Sequence, residues 1–149
     1  IDLICTHPPY TDIIRYSKEI IGDISHLKYE DFLKELEQVA KESYRVLKKQ
    51  GICAFMIGDI RKKGYVLPLG MNSMRKFVDA GFKLKEIIIK EQHNCRSADY
   101  WEGRERNFLM LAHEYIFILE KVYDYKSNGN GVGKSLLDKN ICSQKICDL

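Results

Sequence analysis

With 149 residues, 45% of them hydrophobic and 30% charged, the chain has the size of one ordinary domain and needs no disulfide or metal staple to bury a core. That apolar content excludes disorder for most of its length, and the lack of any apolar run near the roughly 18 residues of a membrane span excludes helical transmembrane segments. Lys+Arg total 24 against 21 Asp+Glu, a formal net charge of +3, so attraction for nucleic acid depends on where the charges lie and not on their sum.

Ile1-Asp2-Leu3-Ile4-Cys5 reads as a buried strand already under way, centred on Leu3 to Thr6. Pro8-Pro9 end it, because neither proline can donate a ladder hydrogen bond. A strand without a lead-in, in a chain without an initiating Met, predicts a fragment whose true beginning is missing. The first apolar stretch is too short for a signal peptide. After a polar connection, Phe32, Leu33, Leu36, Val39, Ala40, Tyr44 and Leu47 recur at helical spacing, with Glu30 and Asp31 early and Lys48-Lys49 late. Gly51 supplies the stop.

Ile52 to Ile57 is wholly apolar and bounded by Gly51 and Gly58, the pattern of a parallel strand covered on both faces. Gly58 to Pro68 reads as a polar loop, Leu69 to Ala80 as a helix ending at Gly81, and Phe82 to Ile89 as a strand. His93 to Asn107 reads as an exposed polar loop, and Ala112 to Lys121, rich in Tyr, Ile and Phe, as the last strand. This is α/β order. Connection length predicts that Leu3–Thr6, Ile52–Ile57 and Phe82–Ile89 share one mostly parallel sheet with parallel neighbours, the last strand lying antiparallel beside its predecessor. From Asp124 onward Ser, Asn and Gly dominate, so residues 1–121 form the structured part and 122–149 a linker and C-terminal appendage. Within it, Asn128 to Ser135 reads as a flexible linker: no apolar strand precedes it, and Asn128 stands where a Walker A loop needs Gly.

The five cysteines, Cys5, Cys53, Cys95, Cys142 and Cys147, contain no C-x-x-C pair, which fits a reducing cytoplasm and argues against a disulfide framework or a zinc knuckle. His113-Glu114 lacks a second histidine at ligand spacing and is read as structural, so no metal is expected. Arg61, Lys62 and Lys63, followed by Arg75, Lys76, Lys83 and Lys85 with only Asp79 against them, read either as a phosphate-contacting stretch or as a solvated face. His93, Asn94, Arg96, Tyr100 and Trp101 combine hydrogen-bonding groups with aromatic faces in a loop whose charges balance. That suits contact with a base or groove, or simple loop packing.

Thr6-His7-Pro8-Pro9-Tyr10, directly after an apolar strand, carries the most specific signal. It resembles the (D/N/S)-P-P-(Y/F/W) motif of DNA amino-methyltransferases, the S-adenosylmethionine enzymes that make N6-methyladenine or N4-methylcytosine. Asp2-Leu3-Ile4, Tyr44-Arg45-Val46-Leu47-Lys48, Gly51-Ile52-Cys53-Ala54-Phe55, Ala80-Gly81-Phe82 and His113-Glu114-Tyr115 resemble the catalytic half of that family in the same order, over approximately residues 1–121.

The resemblance implies a Rossmann-like α/β fold with a mostly parallel sheet and an antiparallel last strand, S-adenosylmethionine as cofactor, DNA as partner, and a place in restriction-modification. It implies that His7, Pro8, Pro9 and Tyr10 are catalytic. The His7 side chain and the Pro8 carbonyl would accept hydrogen bonds from the target amino group, while Tyr10 stacks on the flipped base. Thr6 and His7 would border the cofactor, and Arg61, Lys62, Lys63, Asn94, Arg96, Tyr100 and Trp101 are the candidate nucleic-acid contacts.

His7 departs from the motif. A neutral imidazole still offers one acceptor nitrogen, whereas protonation makes both nitrogens donors, so activity is expected to fall in acid. The family's Gly-rich turn with a downstream acid is missing between Ile1 and Lys121, so the cofactor half is expected upstream of Ile1 and the fragment alone is expected to be inactive. An RNA base methyltransferase, or a silent nucleic-acid-binding remnant, are the alternatives.

Overall fold

The computed structural model of the chain describes residues 1–18, 20–92, 102–105 and 107–122. Its elements run β1 (Leu3–Thr6), a 3₁₀ turn (Ile24–His26), α1 (Tyr29–Val46), β2 (Ile52–Ile57), β3 (Ile60–Lys62), β4 (Tyr65–Leu67), α2 (Leu69–Asp79), β5 (Lys83–Glu91) and β6 (His113–Glu120). No described helix is long and apolar enough to cross a membrane. The residues read as a C-terminal appendage, apart from Val122, lie outside the described residues, as do Cys95, Cys142 and Cys147.

Four strands form one sheet in the order β1-β2-β6-β5. β1 runs parallel to β2, with Leu3 opposite Ile52 and Thr6 opposite Phe55. β6 is antiparallel to β2, with Ile57 opposite Tyr115, and β5 is antiparallel to β6. Three strands therefore share a direction, as expected, but β5 is not the neighbour of β2. The α2 crossover carries the chain one strand position too far, and β6 returns into the vacant slot.

The reason lies in the side chains. In β6, Phe117 and Leu119 are completely buried, whereas every residue of β5 is exposed. Lys-Leu-Lys-Glu-Ile-Ile-Ile-Lys-Glu carries the charges that an edge strand tolerates and a central one does not.

α1 and α2 lie on one face of the sheet. Phe32, Leu36 and Ala40 of α1 and Phe77 of α2 close over Cys53, Phe55, Ile57, Phe117 and Leu119. Phe55 stacks on Phe77 with ring centroids 4.6 Å apart and on Phe117 at 6.1 Å. The expectation of strands covered on both faces is corrected here. β2 alternates buried and half-buried residues, and Leu3 and Cys5 of β1 remain exposed. Val39, read as part of the buried helix stripe, is 40% exposed. Helix α1 also stops before Gly51, at Val46, with Leu47 already extended.

The stretch read as a loop after β2 is a hairpin, Ile60 pairing with Leu67 and Lys62 with Tyr65. Its two-residue connection, Lys63 at φ 52° and Gly64 at φ 85°, is the left-handed pair of a type I′ turn, whose twist matches that of the strands it joins. Replacing Phe55 by Ala removes the ring stacked on Phe77 of α2 and on Phe117 of β6. The expected cost is about 3–5 kcal/mol, read as a lower urea midpoint at unchanged m-value.

Candidate active site

The site begins where β1 must end. Pro8 and Pro9 remove two backbone donors in succession, so the ladder with β2 stops at Thr6 and the chain turns across the ends of β2 and β6. Pro9 is buried. The turn is tightened by a hydrogen bond from the Ile13 N–H to the Tyr10 carbonyl at 3.3 Å. Thr11 is held in the left-handed region, at φ 54°, while 1% exposed. A β-branched residue there stores strain of about 1–3 kcal/mol, immediately after the motif.

Tyr10 is held at both sides of its phenol oxygen. The hydroxyl donates to Glu114 Oε1 and accepts from the Gly58 N–H at 2.9 Å. Gly58 leaves room for this contact: a Cβ there would lie 3.3 Å from the Tyr10 ring and 3.3 Å from the His113 carbonyl oxygen, tight enough that one of them would have to shift by a few tenths of an ångström. Glu114 is 5% exposed and also accepts from Lys90 Nζ. His7 Nε2 lies 3.8 Å from the same carboxylate, and the His7 ring stands edge-on to Tyr10, centroids 5.7 Å apart at 86°.

Burial, and then the neighbouring carboxylate, push the Tyr10 phenol well above its ordinary range, so it is a fixed donor and not an acid. Burial alone would raise Glu114. The hydrogen bonds from Lys90 and Tyr10, with the Lys90 and His7 charges, outweigh it and hold the carboxyl below its usual value.

Beside this cluster opens a cavity of about 770 Å³, lined by the apolar side chains of Ile13, Ile14, Tyr16, Phe108, Met110 and Leu111 and also by Tyr10, Gly58 and Glu114. Arg61 and Lys63 line it too. The Arg61 guanidinium bonds the carbonyls of Gly64 (2.7 Å) and Leu109 (3.0 Å) and lies 4.4 Å from the Phe108 ring centroid. It therefore ties the hairpin to the segment before β6. Asp59 is engaged, accepting from the Gly70 N–H (2.8 Å) and the Tyr115 hydroxyl (3.2 Å).

Of the residues singled out from sequence, His7 and Tyr10 meet at Glu114, Thr6 closes β1 next to them, and Arg61 and Lys63 reach the cavity. Lys62 is exposed on the hairpin and does not line it. His93, Asn94, Arg96, Tyr100 and Trp101 lie outside the described residues.

Two features of the site escape the sequence reading. Glu114, read as structural, is the shared acceptor of the cluster. The connection after the motif, read as polar, exposes Ile13 (59%), Ile14 (54%) and Tyr16 (63%) toward the cavity. Paired isoleucines outside any strand or helix pattern were the available signal. Asp23 anchors this connection, accepting from the Ser17 N–H (3.0 Å) and hydroxyl (2.6 Å) and from the Ser25 N–H (2.8 Å). These bonds, that from the Ser17 hydroxyl first, hold its carboxyl well below the ordinary range.

Comparison with known proteins matches residues 1–146 to the model of a DNA methylase family. The chain is 28% identical over 121 residues to the orphan methyltransferase M.BamHII of Bacillus amyloliquefaciens, covering 81% of this chain and 38% of that relative. A DNA modification methylase of Thermus thermophilus, TTHA0409, solved in complex with S-adenosyl-L-methionine, superposes with a TM-score of 0.58 at 24% identity, over 87% of this chain and 49% of its own. The cytosine-N4-specific PvuII DNA methyltransferase superposes with a TM-score of 0.64 at 19% identity, over 82% of this chain and 43% of its own. These likenesses show the fold, the α/β fold of S-adenosylmethionine-dependent methyltransferases. The chain spans less than half the length of each of these relatives.

Tyr10→Phe keeps the ring but leaves the Gly58 N–H and a Glu114 oxygen without their partner, an expected cost of about 1–3 kcal/mol in urea unfolding. Because the Glu114 carboxyl is depressed in the fold, its contribution is complete above the ordinary value of 4.5 and fades as pH falls from there through the folded value. The stability gap between the parent and Glu114→Gln is therefore expected to hold at neutral pH and to shrink below that value.

Proposed function

The chain belongs to the DNA methylase family, and on that premise we propose that it carries the base-binding and proton-accepting side of a DNA amino-methyltransferase acting on an exocyclic amino nitrogen of adenine or cytosine. The observation that carries this reading is the placement of His7-Pro8-Pro9-Tyr10 directly after β1, with Tyr10 clamped between Gly58 and Glu114 where all three line a largely apolar cavity. Residues 1–121 make up this catalytic half, and 122–149 an appendage. The cytoplasm, where Cys5 and Cys53 stay reduced, suits it.

An amino group conjugated to an aromatic ring is a poor nucleophile. Acceptors that take hydrogen bonds from its protons draw it toward tetrahedral geometry and free its lone pair, provided they are already in place. The two prolines make the Pro8 carbonyl such a fixed acceptor. His7 supplies the second. With the Glu114 carboxylate facing Nε2, the neutral ring keeps its proton on that nitrogen, and Nδ1 is the acceptor that remains. Tyr10, whose hydroxyl is already satisfied, offers its ring for stacking, worth about 1–3 kcal/mol for a base. The nitrogen that gains a methyl group must release a proton. In this reading His7 Nδ1 takes it, and Glu114, 3.8 Å from Nε2, balances the resulting charge.

S-adenosylmethionine, when bound, supplies the electrophilic methyl group. Thr6, which ends β1, and His7 after it are the residues this reading sets at its reacting end. No Gly-rich turn with a downstream acid stands among them to hold a ribose or an amino-acid group. Binding of the cofactor to this chain alone is accordingly expected to be weak by calorimetry, and tight stoichiometric binding would contradict the division of labour proposed here.

Single-turnover transfer by the intact protein from labelled S-adenosylmethionine, with DNA and RNA offered separately, tests the activity. DNA is the expected substrate. His7→Ala should slow transfer at least tenfold, or about 1.4 kcal/mol, with little change in DNA binding. Tyr10→Ala should weaken both. Parental rates in His7→Ala would place the acceptor elsewhere. Methylation of RNA alone would shift the reading to an RNA enzyme, and absence of transfer to either would make the chain a binding remnant.

A further inference from the structure

The outer edge of β5 is an exposed hydrogen-bonding surface at the margin of the sheet. Its core is three consecutive isoleucines, Ile87, Ile88 and Ile89, which are 45%, 48% and 59% exposed. No described element pairs with that edge. Charges flank the isoleucines on both sides, as Lys85-Glu86 and Lys90-Glu91.

The ladder decides which backbone groups point outward. Gln92 N–H bonds the Ala112 carbonyl at 2.8 Å, continuing the pairs Lys90–Glu114, Ile88–Ile116 and Glu86–Ile118. On the other side of β6, Lys121 N–H bonds the Gly51 carbonyl at 3.0 Å, so odd residues of β6 face β2 and even residues face β5. By alternation, the even residues of β5 from Glu86 to Gln92 direct their N–H and C=O groups to β6. Ile87 and Ile89 present theirs to the outside.

We propose that this edge is a docking surface for a second copy of the chain, joined antiparallel about a two-fold axis at Ile88. In that register Ile88 faces Ile88 of the second copy as a non-hydrogen-bonded pair. Ile87 faces Ile89 of the second copy as a hydrogen-bonded pair, using the groups that do not bond β6. Glu86 faces Lys90 of the second copy, on the same sheet face as Ile88. Every pair is apolar on apolar or acid on base.

The alternatives lack this match. Centring the axis on Ile87 sets Glu86 against Ile88 and Lys85 against Ile89. Centring it on Ile89 sets Ile87 against Glu91 and Ile88 against Lys90. Lys90 has three donor hydrogens and is 46% exposed, so its bond to Glu114 leaves it able to reach a second carboxylate. The bulge between Leu84 and Glu86, with Lys85 bonded to Glu120 at 3.0 Å, ends the regular edge on one side. An isologous contact of this length is at the small end of specific interfaces, below about 1,200 Å², and is therefore reversible. It joins two four-stranded sheets into one, with the helices of both copies on the same side.

Cysteine scanning under mild oxidation, read on non-reducing gels against the parent with its native cysteines, tests the register. At a non-hydrogen-bonded pair the Cα atoms are about 4.5 Å apart, within disulfide reach, whereas like residues one position off the axis are not. Ile88→Cys should form a covalent dimer about tenfold more than Ile87→Cys or Ile89→Cys alone, and the Ile87→Cys/Ile89→Cys double variant should regain it. Sedimentation equilibrium should show a concentration-dependent dimer for the parent and a folded monomer for Ile88→Asp. The proposal fails if the parent stays monomeric at high micromolar concentration, if Ile88→Asp still dimerises, or if crosslinking ignores position. Should Ile88→Asp not fold, the cysteine series decides alone.

Discussion

A carboxylate taken out of water has to be compensated by several partners at once, and the end of the sheet is organised around meeting that demand at Glu114. Desolvating such a group costs several kcal/mol unless opposite charge and hydrogen bonds replace the lost water. Here β5 brings Lys90 and the turn after β1 brings Tyr10, whose phenol oxygen is held in turn by the N–H of Gly58, just past β2. The ion pair also fixes strand register. A one-residue slip of β5 would carry Lys90 to the helix face and strand Glu114 without a counter-charge. The same carboxylate sits near His7, so the constraint that orders the sheet also orients the motif.

The rest of the molecule makes that position rigid. β6 carries Glu114 at one end and Phe117 and Leu119 in the middle, where the aromatic layer of Phe55, Phe77 and Phe82 closes over it. Holding Glu114 is therefore a task of the core and not of a loop, which suits a residue that positions others. The cavity wall is built differently. Ile13, Ile14 and Tyr16 lie on an irregular segment fastened by the Asp23 carboxylate, and the segment before β6 that also lines the cavity is fastened by Arg61. Apolar side chains are thus displayed on a pinned but irregular backbone.

Most elements of this fold are legible along the chain because their causes are local. The α1 stripe from Phe32 to Ala40, the apolar run from Ile52 to Ile57 and the stop at Gly81 each declare themselves within a few residues. The strand order does not, because connection length tells direction but not which slot a strand takes. Only a comparison of Lys-Leu-Lys-Glu-Ile-Ile-Ile-Lys-Glu with His-Glu-Tyr-Ile-Phe-Ile-Leu-Glu shows which strand can occupy the centre. The hairpin hides for a related reason: Lys63-Gly64 is a weaker turn signal than Asn-Gly or Asp-Gly, and the charged strands around it look like loop. At the site, His7 and Tyr10 are legible since two successive prolines constrain the backbone wherever they occur. Glu114 is not, because what gives it a role stands 104 positions away.

That separation has a consequence for how the molecule assembles. β6, one of the two inner strands of the sheet, is the last of the described strands to leave the ribosome, so β2 and β5 must each wait with an unpaired edge until residues near 113–120 arrive. Closing so long a loop costs entropy before any contact returns it, and topologies of this kind condense slowly. The cavity is thus completed only at a late step of folding, and the nascent chain holds Tyr10 without its Glu114 partner until β6 has been made.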